Sequence, residues 1–404
     1  MKYGQEMKDI SPNIIRNSWL IALFLVETLL CKMVALIIPI PNISVIGMVI
    51  ILLLFLFFNI RYGLKIKIFS LLVFGILLLI LITSGLLNGF QYVGNYFAYF
   101  LAFGMTAMLL MTVEFDYKTT LVAVLKLSVL YIICYFAFER GSFVLSDNYW
   151  ASQMGMAYGF LTPTVAGLTV VMKKDVFRLN RLTQLLAWIC LLAGIYVICI
   201  DCGTRGAMVS VAIAMGMLFI GRAKPIKKIV IVTLLSIAVI LILTNLEEVL
   251  LFINQWFGTR GISMPALNKM IRMMSLGIEY NGRNELSSLA IDVFKTSPLW
   301  GRGVGYYESV FGGYTHNMIT ELLCEVGVIG LLCAMLPILK NFIGIFIGNQ
   351  EDSEMKSFNS FLFLITIPIL MFSSSYWLLP SFWMYLWFIL RGNGLMKRKR
   401  IQIG

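Results

Sequence analysis

The sequence predicts an all-α polytopic membrane protein with about twelve transmembrane helices and one large outward-facing loop that contains amphipathic helices of its own. Three observations predict it. Of the 404 residues, 60% are hydrophobic and the mean hydropathy is +0.89; apolar runs recur at the length of a membrane span; and basic residues collect in alternate short connections. Soluble domains average roughly 45–50% apolar residues, so composition alone excludes a water-soluble fold.

About 20 apolar residues cross the hydrocarbon core. On that measure the runs fall near 18–38, 43–59, 67–87, 93–113, 119–138, 154–172, 183–200, 206–220, 229–244, 318–340, 358–376 and 378–391. The polar start "MKYGQEMKDISPNIIRNSW" precedes a first run with no small-residue cleavage site after it, which argues for a retained anchor instead of a signal peptide. One set of connections carries Arg61, Lys65 and Lys67, then Lys173, Lys174, Arg178 and Arg181, then Arg222, Lys224, Lys227 and Lys228, and finally the tail "RGNGLMKRKR". The opposite set reads "IPIPN", "SGLLNGFQY", "ERGSFVLSDNYWASQ" and "DCGTRG". The positive-inside rule then puts both termini in the cytoplasm and the long polar stretch outside. Read this way, the net charge of +12 sets orientation and does not imply a nucleic-acid partner. The seven cysteines lie scattered, nearly all in apolar runs, without CxxC or metal-ligand spacing, and read as small hydrophobes.

The organisation that follows is 1–244 for the first nine helices, 245–316 for the outward loop, and 317–404 for the last three helices and a basic tail. A loop of that length among short ones points to function. Pro265 can open a helix with Leu267, Met270, Ile271 and Met274 on one face; Leu286, Leu289, Ala290, Val293 and Phe294 make a second stripe. Such helices suit a membrane face or the roof of a cavity. The two halves of the chain do not mirror each other, which weakens a transporter reading.

Four places carry chemistry. His316, the only histidine, stands in "YTHNMITELL" at the outward mouth of the tenth run, where Thr315 or Asn317 can cap the helix. A lone histidine there can be a packing residue, but an imidazole can also take a proton from a hydroxyl near neutral pH. Arg205, in "CGTRGAMVSV", runs against the topological bias; it can snorkel to headgroups, or join Thr204 and the backbone N–H groups of a helix start in a phosphate pocket. The loop supplies Arg260, Arg272, Arg283 and Arg302 with Lys269 and Lys295, balanced by as many acids, so anion binding there depends on particular arginines. Arg283 opens the second amphipathic stripe, and Arg302 lies in "WGRGVGYYES", whose Gly301, Gly303 and Gly305 read as a flexible turn delivering the chain to His316. Glu321 and Glu325, four apart and early in a membrane run, need a cavity or a partner, and His316 or an arginine can serve. Gly327 and Gly330 read as close helix packing. Trp150, Trp300, Tyr306, Tyr307 and Tyr314 suit either an interface belt or sugar stacking.

The "GTRGA" helix start, the loop with "GRNELSSLAIDVFKTSPLWGRGVG", and "THNMITELLCEVGVIGLL", in that order, resemble the O-antigen polymerase and ligase superfamily of bacterial membrane glycosyltransferases. The resemblance covers about 200–335. It implies that Arg205 and Arg283 hold the diphosphate of a polyprenyl-linked oligosaccharide and that His316 activates the acceptor hydroxyl. Thr204 stands where serine is frequent in the family. Thr204, Arg260, Arg302, Tyr314 and Glu321 are further candidates for substrate contact. The resemblance also implies work without a metal, cofactor or nucleotide sugar, in the inner membrane, on a glycan acceptor, and it leaves room for a chain-length regulator. Polymerase is the favoured reading, since the charge-balanced loop offers no broad basic surface for a phosphorylated lipid core. Transfer to a lipid core or protein, as by a ligase, and flipping of lipid-linked saccharides are the alternatives.

Overall fold

A computed structural model of the chain describes residues 10–35, 38, 43–62, 66–140, 149–221, 246–261, 267–268, 271–272, 275, 283–347 and 353–391. Every regular element among them is helical. The membrane helices are α1 (Pro12–Ala35), α2 (Ile43–Asn59), α3 (Ile68–Asn88), α4 (Phe90–Leu110), α5 (Tyr117–Glu139), α6 (Tyr149–Gly159) running into α7 (Leu161–Met172), α8 (Arg181–Cys202) and α9 (Arg205–Gly221). The long loop contributes α10 (Leu246–Gly258), α11 (Arg283–Thr296) and α12 (Tyr306–Phe311). Then come α13 (Met318–Phe342), α14 (Glu354–Phe372) and α15 (Pro380–Arg391).

Eight helical stretches among the described residues are long and apolar enough to cross a membrane; Ile43–Asn59 and Arg205–Phe219 are shorter apolar helices, and α15 has 12 residues. The expected run at 229–244 lies outside the described residues. The chain is an integral membrane protein. Large apolar side chains such as Phe57, Ile68, Leu87 and Phe138 stand exposed around the bundle, where hydrocarbon is their solvent.

Inside, aromatic packing joins α4 to the C-terminal helix α15. Trp377, Trp383, Trp387, Phe100 and Phe103 are nearly inaccessible, with Phe100 edge-on to Trp383 at 5.1 Å. A wide π-type turn at Phe100–Met105 disturbs the regular backbone pairing of α4. Gly104 uses its carbonyl to accept from Trp387 Nε1 at 2.8 Å, tying α15 to α4.

Helix α13 is broken. Gly327 has φ +63° and ψ −165°, and the segment 298–303 fills the gap. Arg302 N donates to Cys324 O (2.7 Å) and Gly303 N to Glu325 O (2.9 Å), while Val328 N donates to Pro298 O (2.9 Å) and Ile329 N to Leu299 O (3.3 Å). The break deprives the carbonyls of 324 and 325 of their donors, 328 and 329, and the strap supplies both sides. Backbone polar groups at membrane depth must be paired in this way. The "WGRGVG" turn is therefore a fixed strap and not a flexible one. Asn88 Nδ2 also donates to the carbonyls of Arg302 and Val304, both at 3.0 Å, and Val304 N donates to Ser84 Oγ at 2.9 Å. These bonds bind the strap to the end of α3.

Helix α11 lies beside α13. Its stripe packs on α13 and α12, with Ala290 and Val293 buried together with Cys324 and Tyr307. Cys324 Sγ donates to Ala290 O at 3.1 Å and Tyr307 Oη to Leu286 O at 3.0 Å. The first stripe is described only in part: Leu267 is buried with Leu250 of α10 and Met208 of α9 against it, and Ile271 packs beside them. Pro265, Lys269, Met270 and Met274 lie outside the described residues.

Candidate active site

The site is built where three turns end on one face of the bundle. The first is the turn from α8 to α9. A π-type turn at Val197–Cys202 closes α8, Gly203 reverses the chain with φ +56°, and Thr204 leads into Arg205 at the first position of α9. Thr204 and Arg205 are half-buried, and Thr204 O accepts from Met208 N at 3.0 Å. A side chain at the next residue would be crowded: a Cβ on Gly206 would collide with Tyr158 Oη, which would have to move, and come 3.5 Å from Phe372 Cβ.

The second turn delivers His316. Thr315 is buried, with its Oγ1 donating to Asn317 O at 3.1 Å. Asn317 is the cap of α13, accepting from Ile319 N (2.9 Å) and Thr320 N (3.4 Å) through its side-chain oxygen. Its Nδ2 donates to Met371 O at 2.9 Å. The imidazole of His316 lies 4.0 Å from the Tyr314 ring, centroid to centroid, and its backbone has φ +58°. Left-handed backbone in a non-glycine residue costs energy and concentrates at functional sites.

The third turn is Ser373–Ser375, after α14, where Ser374 has φ +69°. It decides the geometry. Met371 holds the His316 turn through Asn317, and Phe372, the next residue, lies against Gly206. The "GTRG" and "THN" elements, more than a hundred residues apart, thus meet at the end of α14.

Residues 186–335 match the O-antigen ligase family model. The matched segment is less than half of the chain but holds Thr204, Arg205, Arg260, Arg283, Arg302, Tyr314, His316 and Glu321. It bears out the resemblance to the O-antigen polymerase and ligase superfamily, and with the membrane bundle it marks a membrane enzyme of glycan transfer. Among curated proteins none matches the chain.

Within that segment, Arg283 is the first residue of α11. Ala290 pairs with Cys324, and Pro298, just past the end of α11, pairs with Val328, so α11 and α13 run in the same sense. At ~1.5 Å per residue, Arg283 lies about 10 Å before Ala290 and Met318 about 9 Å before Cys324, which brings the start of α11 level with the start of α13. Two other arginines are engaged locally. Arg260 lies over the Trp256 ring at 3.7 Å and donates to Trp256 O at 2.9 Å, which closes the end of α10. Arg302 Nε donates to Thr296 Oγ1 at 2.8 Å.

Glu321 lies in the first turn of α13. It is 2% exposed. Its polar neighbours are Ser375, the Tyr376 backbone, Glu325 and Glu308. Glu325 accepts from Trp377 Nε1 at 2.9 Å and from Tyr376 Oη, and Glu308 accepts from Tyr96 Oη. Burial raises the Glu308 carboxyl above its ordinary value, against the opposing pull of the Tyr96 hydrogen bond. Glu325 thus holds the Tyr376–Trp377 turn against α13, and Glu308 ties α12 to α4.

Several site neighbours escaped sequence reasoning. Tyr158 has no motif around it. Asp201 adjoins "GTRG" and forms a two-point pair with Arg140 (3.1 and 3.2 Å), with Tyr135 Oη on the same carboxylate at 3.1 Å. The polar letters of "SSSYW" between two apolar runs were the available signal for the third turn. The side chain of Trp150 lies outside the described residues.

The Gly206 contact is testable. Gly206→Ala is expected to force Tyr158 aside at about 1–3 kcal/mol, lowering thermal stability and transfer together. Adding Tyr158→Phe removes the colliding oxygen and should restore most of the unfolding temperature, measured in detergent.

Proposed function

We propose that the protein is a polysaccharide repeat-unit polymerase, working without a metal on the outward face of the bacterial cytoplasmic membrane. The donor is an oligosaccharide on polyprenyl diphosphate, and the acceptor is a sugar hydroxyl of a second lipid-linked unit. The single observation that supports this reading is the meeting of the Arg205 and His316 turns at the end of α14. It brings the turn that carries Arg205, at a helix start, to the end of the same helix as the turn that carries His316.

In this reading Arg205 and Arg283 bind the diphosphate and His316 faces the acceptor. The acceptor oxygen attacks the anomeric carbon while the bond from that carbon to the phosphate oxygen breaks. The bond's electron pair leaves with the diphosphate, whose growing charge the arginines stabilise. The hydroxyl proton passes to the imidazole, which then gives it to water or to the departing diphosphate. Single displacement inverts the anomeric centre.

The test is to incubate the purified protein in lipid with a lipid-linked repeat unit alone and to resolve the products by size. The expected result is a ladder of repeats; its absence with folded protein and authentic substrate overturns the reading. Arg205→Lys should lower the rate about ten- to a hundredfold, because each charge-assisted hydrogen bond contributes roughly 1.5–3 kcal/mol and lysine lacks the planar fork. The description of the matching family favours ligase transfer as the second reading. Transfer to a lipid core or a protein acceptor, with no ladder from the repeat unit alone, would establish it.

A further inference from the structure

Beneath the strap a cavity of about 740 Å³ opens between α3, the strap and the broken part of α13. Pockets of roughly 300–1,000 Å³ commonly take small ligands. Its deep wall is apolar, with Ile76, Ile80 and Ile329, and it ends beside Cys333, which is exposed. Its mouth is polar, with Asn88 and Arg302. Ser84 pairs with the strap at Val304 N, and from there to Ile76 is about 12 Å of helix at ~1.5 Å per residue. The groove therefore runs from the polar end of α3 toward the apolar middle of that helix. Glu325 also borders it, but Oε2 of that carboxylate is turned to Tyr376 and Trp377.

We propose that this groove seats the prenyl chain of the acceptor lipid, with Arg302 meeting its diphosphate. The proposal rests on the polymerase reading above and adds a second lipid position to it. Charge and shape choose the occupant. An apolar trough open to the bilayer takes a hydrocarbon chain, and a guanidinium at its mouth, tied at Nε and exposed, takes an anionic head. Position chooses the role. Arg302 N is bonded to Cys324 O, six residues below Met318, or about 9 Å of helix rise. A lipid with its diphosphate at that level presents sugars, and not the phosphate, to His316. An acceptor needs that arrangement; a donor, whose phosphate must lie at the reacting carbon, does not.

The test offers wild type and Ile80→Trp the same lipid-linked donor with either a lipid-linked or a soluble acceptor of the same sugars. Filling the groove should lower the ratio of lipid-linked to soluble acceptor turnover about tenfold. An unchanged ratio overturns the proposal. If wild type transfers to neither acceptor, the polymerase reading fails first and the proposal with it. A second measurement needs no groove-filling variant: Cys333 in the full protein is labelled with a membrane-permeant maleimide, with Cys333→Ser as the blank. Polyprenyl phosphate should slow labelling several-fold while phosphatidylglycerol does not. Equal protection by both lipids, or by neither, overturns the proposal, the first because it marks an ordinary annular groove.

Discussion

His316→Ala is expected to abolish glycan transfer, lowering its rate by about 10²–10⁴-fold, the range for loss of a positioned general base. Binding of the lipid-linked donor should change little, because the arginines assigned to the diphosphate lie on α9 and α11 and not in the histidine's turn. The comparison that checks this is single-turnover transfer against equilibrium binding of radiolabelled donor. His316 precedes the cap of α13, and Asn317 keeps that cap through its own side chain and its bond to Met371 O. The variant should therefore fold. Alanine dislikes the left-handed backbone as much as histidine does, so His316→Gly is a second variant that relaxes this strain. Gly and Ala equally inactive, both with normal unfolding temperatures, would assign the loss to the imidazole. Full activity in either would end the general-base assignment.

Gly327→Ala is expected to be the most damaging substitution for the fold. At φ +63° and ψ −165° the backbone occupies a region essentially reserved for glycine. A Cβ there would also sit 2.6 Å from Trp300 N and press into the Leu299 carbonyl. Strain alone costs about 1–3 kcal/mol, and the collision adds to it. The strap has no slack to absorb the change. Gly301 faces α13 from the other side, where a Cβ would lie 2.5 Å from Val326 N. We expect the strap to leave the break, unpairing the carbonyls of 324 and 325 and the N–H groups of 328 and 329 at membrane depth. The readout is a lower unfolding temperature in detergent together with fast hydrogen exchange at Val328 and Ile329. Wild-type exchange at those two amides would show that the strap is not what protects them.

These two substitutions separate what could be read in the sequence from what could not. His316 was found by type: a single imidazole at the polar start of an apolar helix is a local feature. Gly327 was read as a packing glycine because nothing in "CEVGVIG" shows that the chain departs from helix there. Its conformation is imposed by residues 298–303, which are distant in the sequence. The same holds for the carboxylates. That Glu321 and Glu325 needed partners followed from their place in a membrane run. That Glu325 would find Tyr376 and Trp377, and that Glu321 would lie beside Ser375 and the Tyr376 backbone, did not.

The sequence by itself determined the membrane class, most helix positions, the two ends of the bundle where turns gather, and the residue types able to bind phosphate or move a proton. Each depends on hydropathy over a span or on chemistry within a few residues. Tertiary structure alone decided that α14 ends against the turns of Gly206 and Asn317, that Tyr158 packs on the glycine at 206, and that a strap from the loop repairs α13 and roofs a groove. In a bilayer every buried polar group needs a partner. Which partner it finds depends on how helices far apart in the chain come to lie side by side.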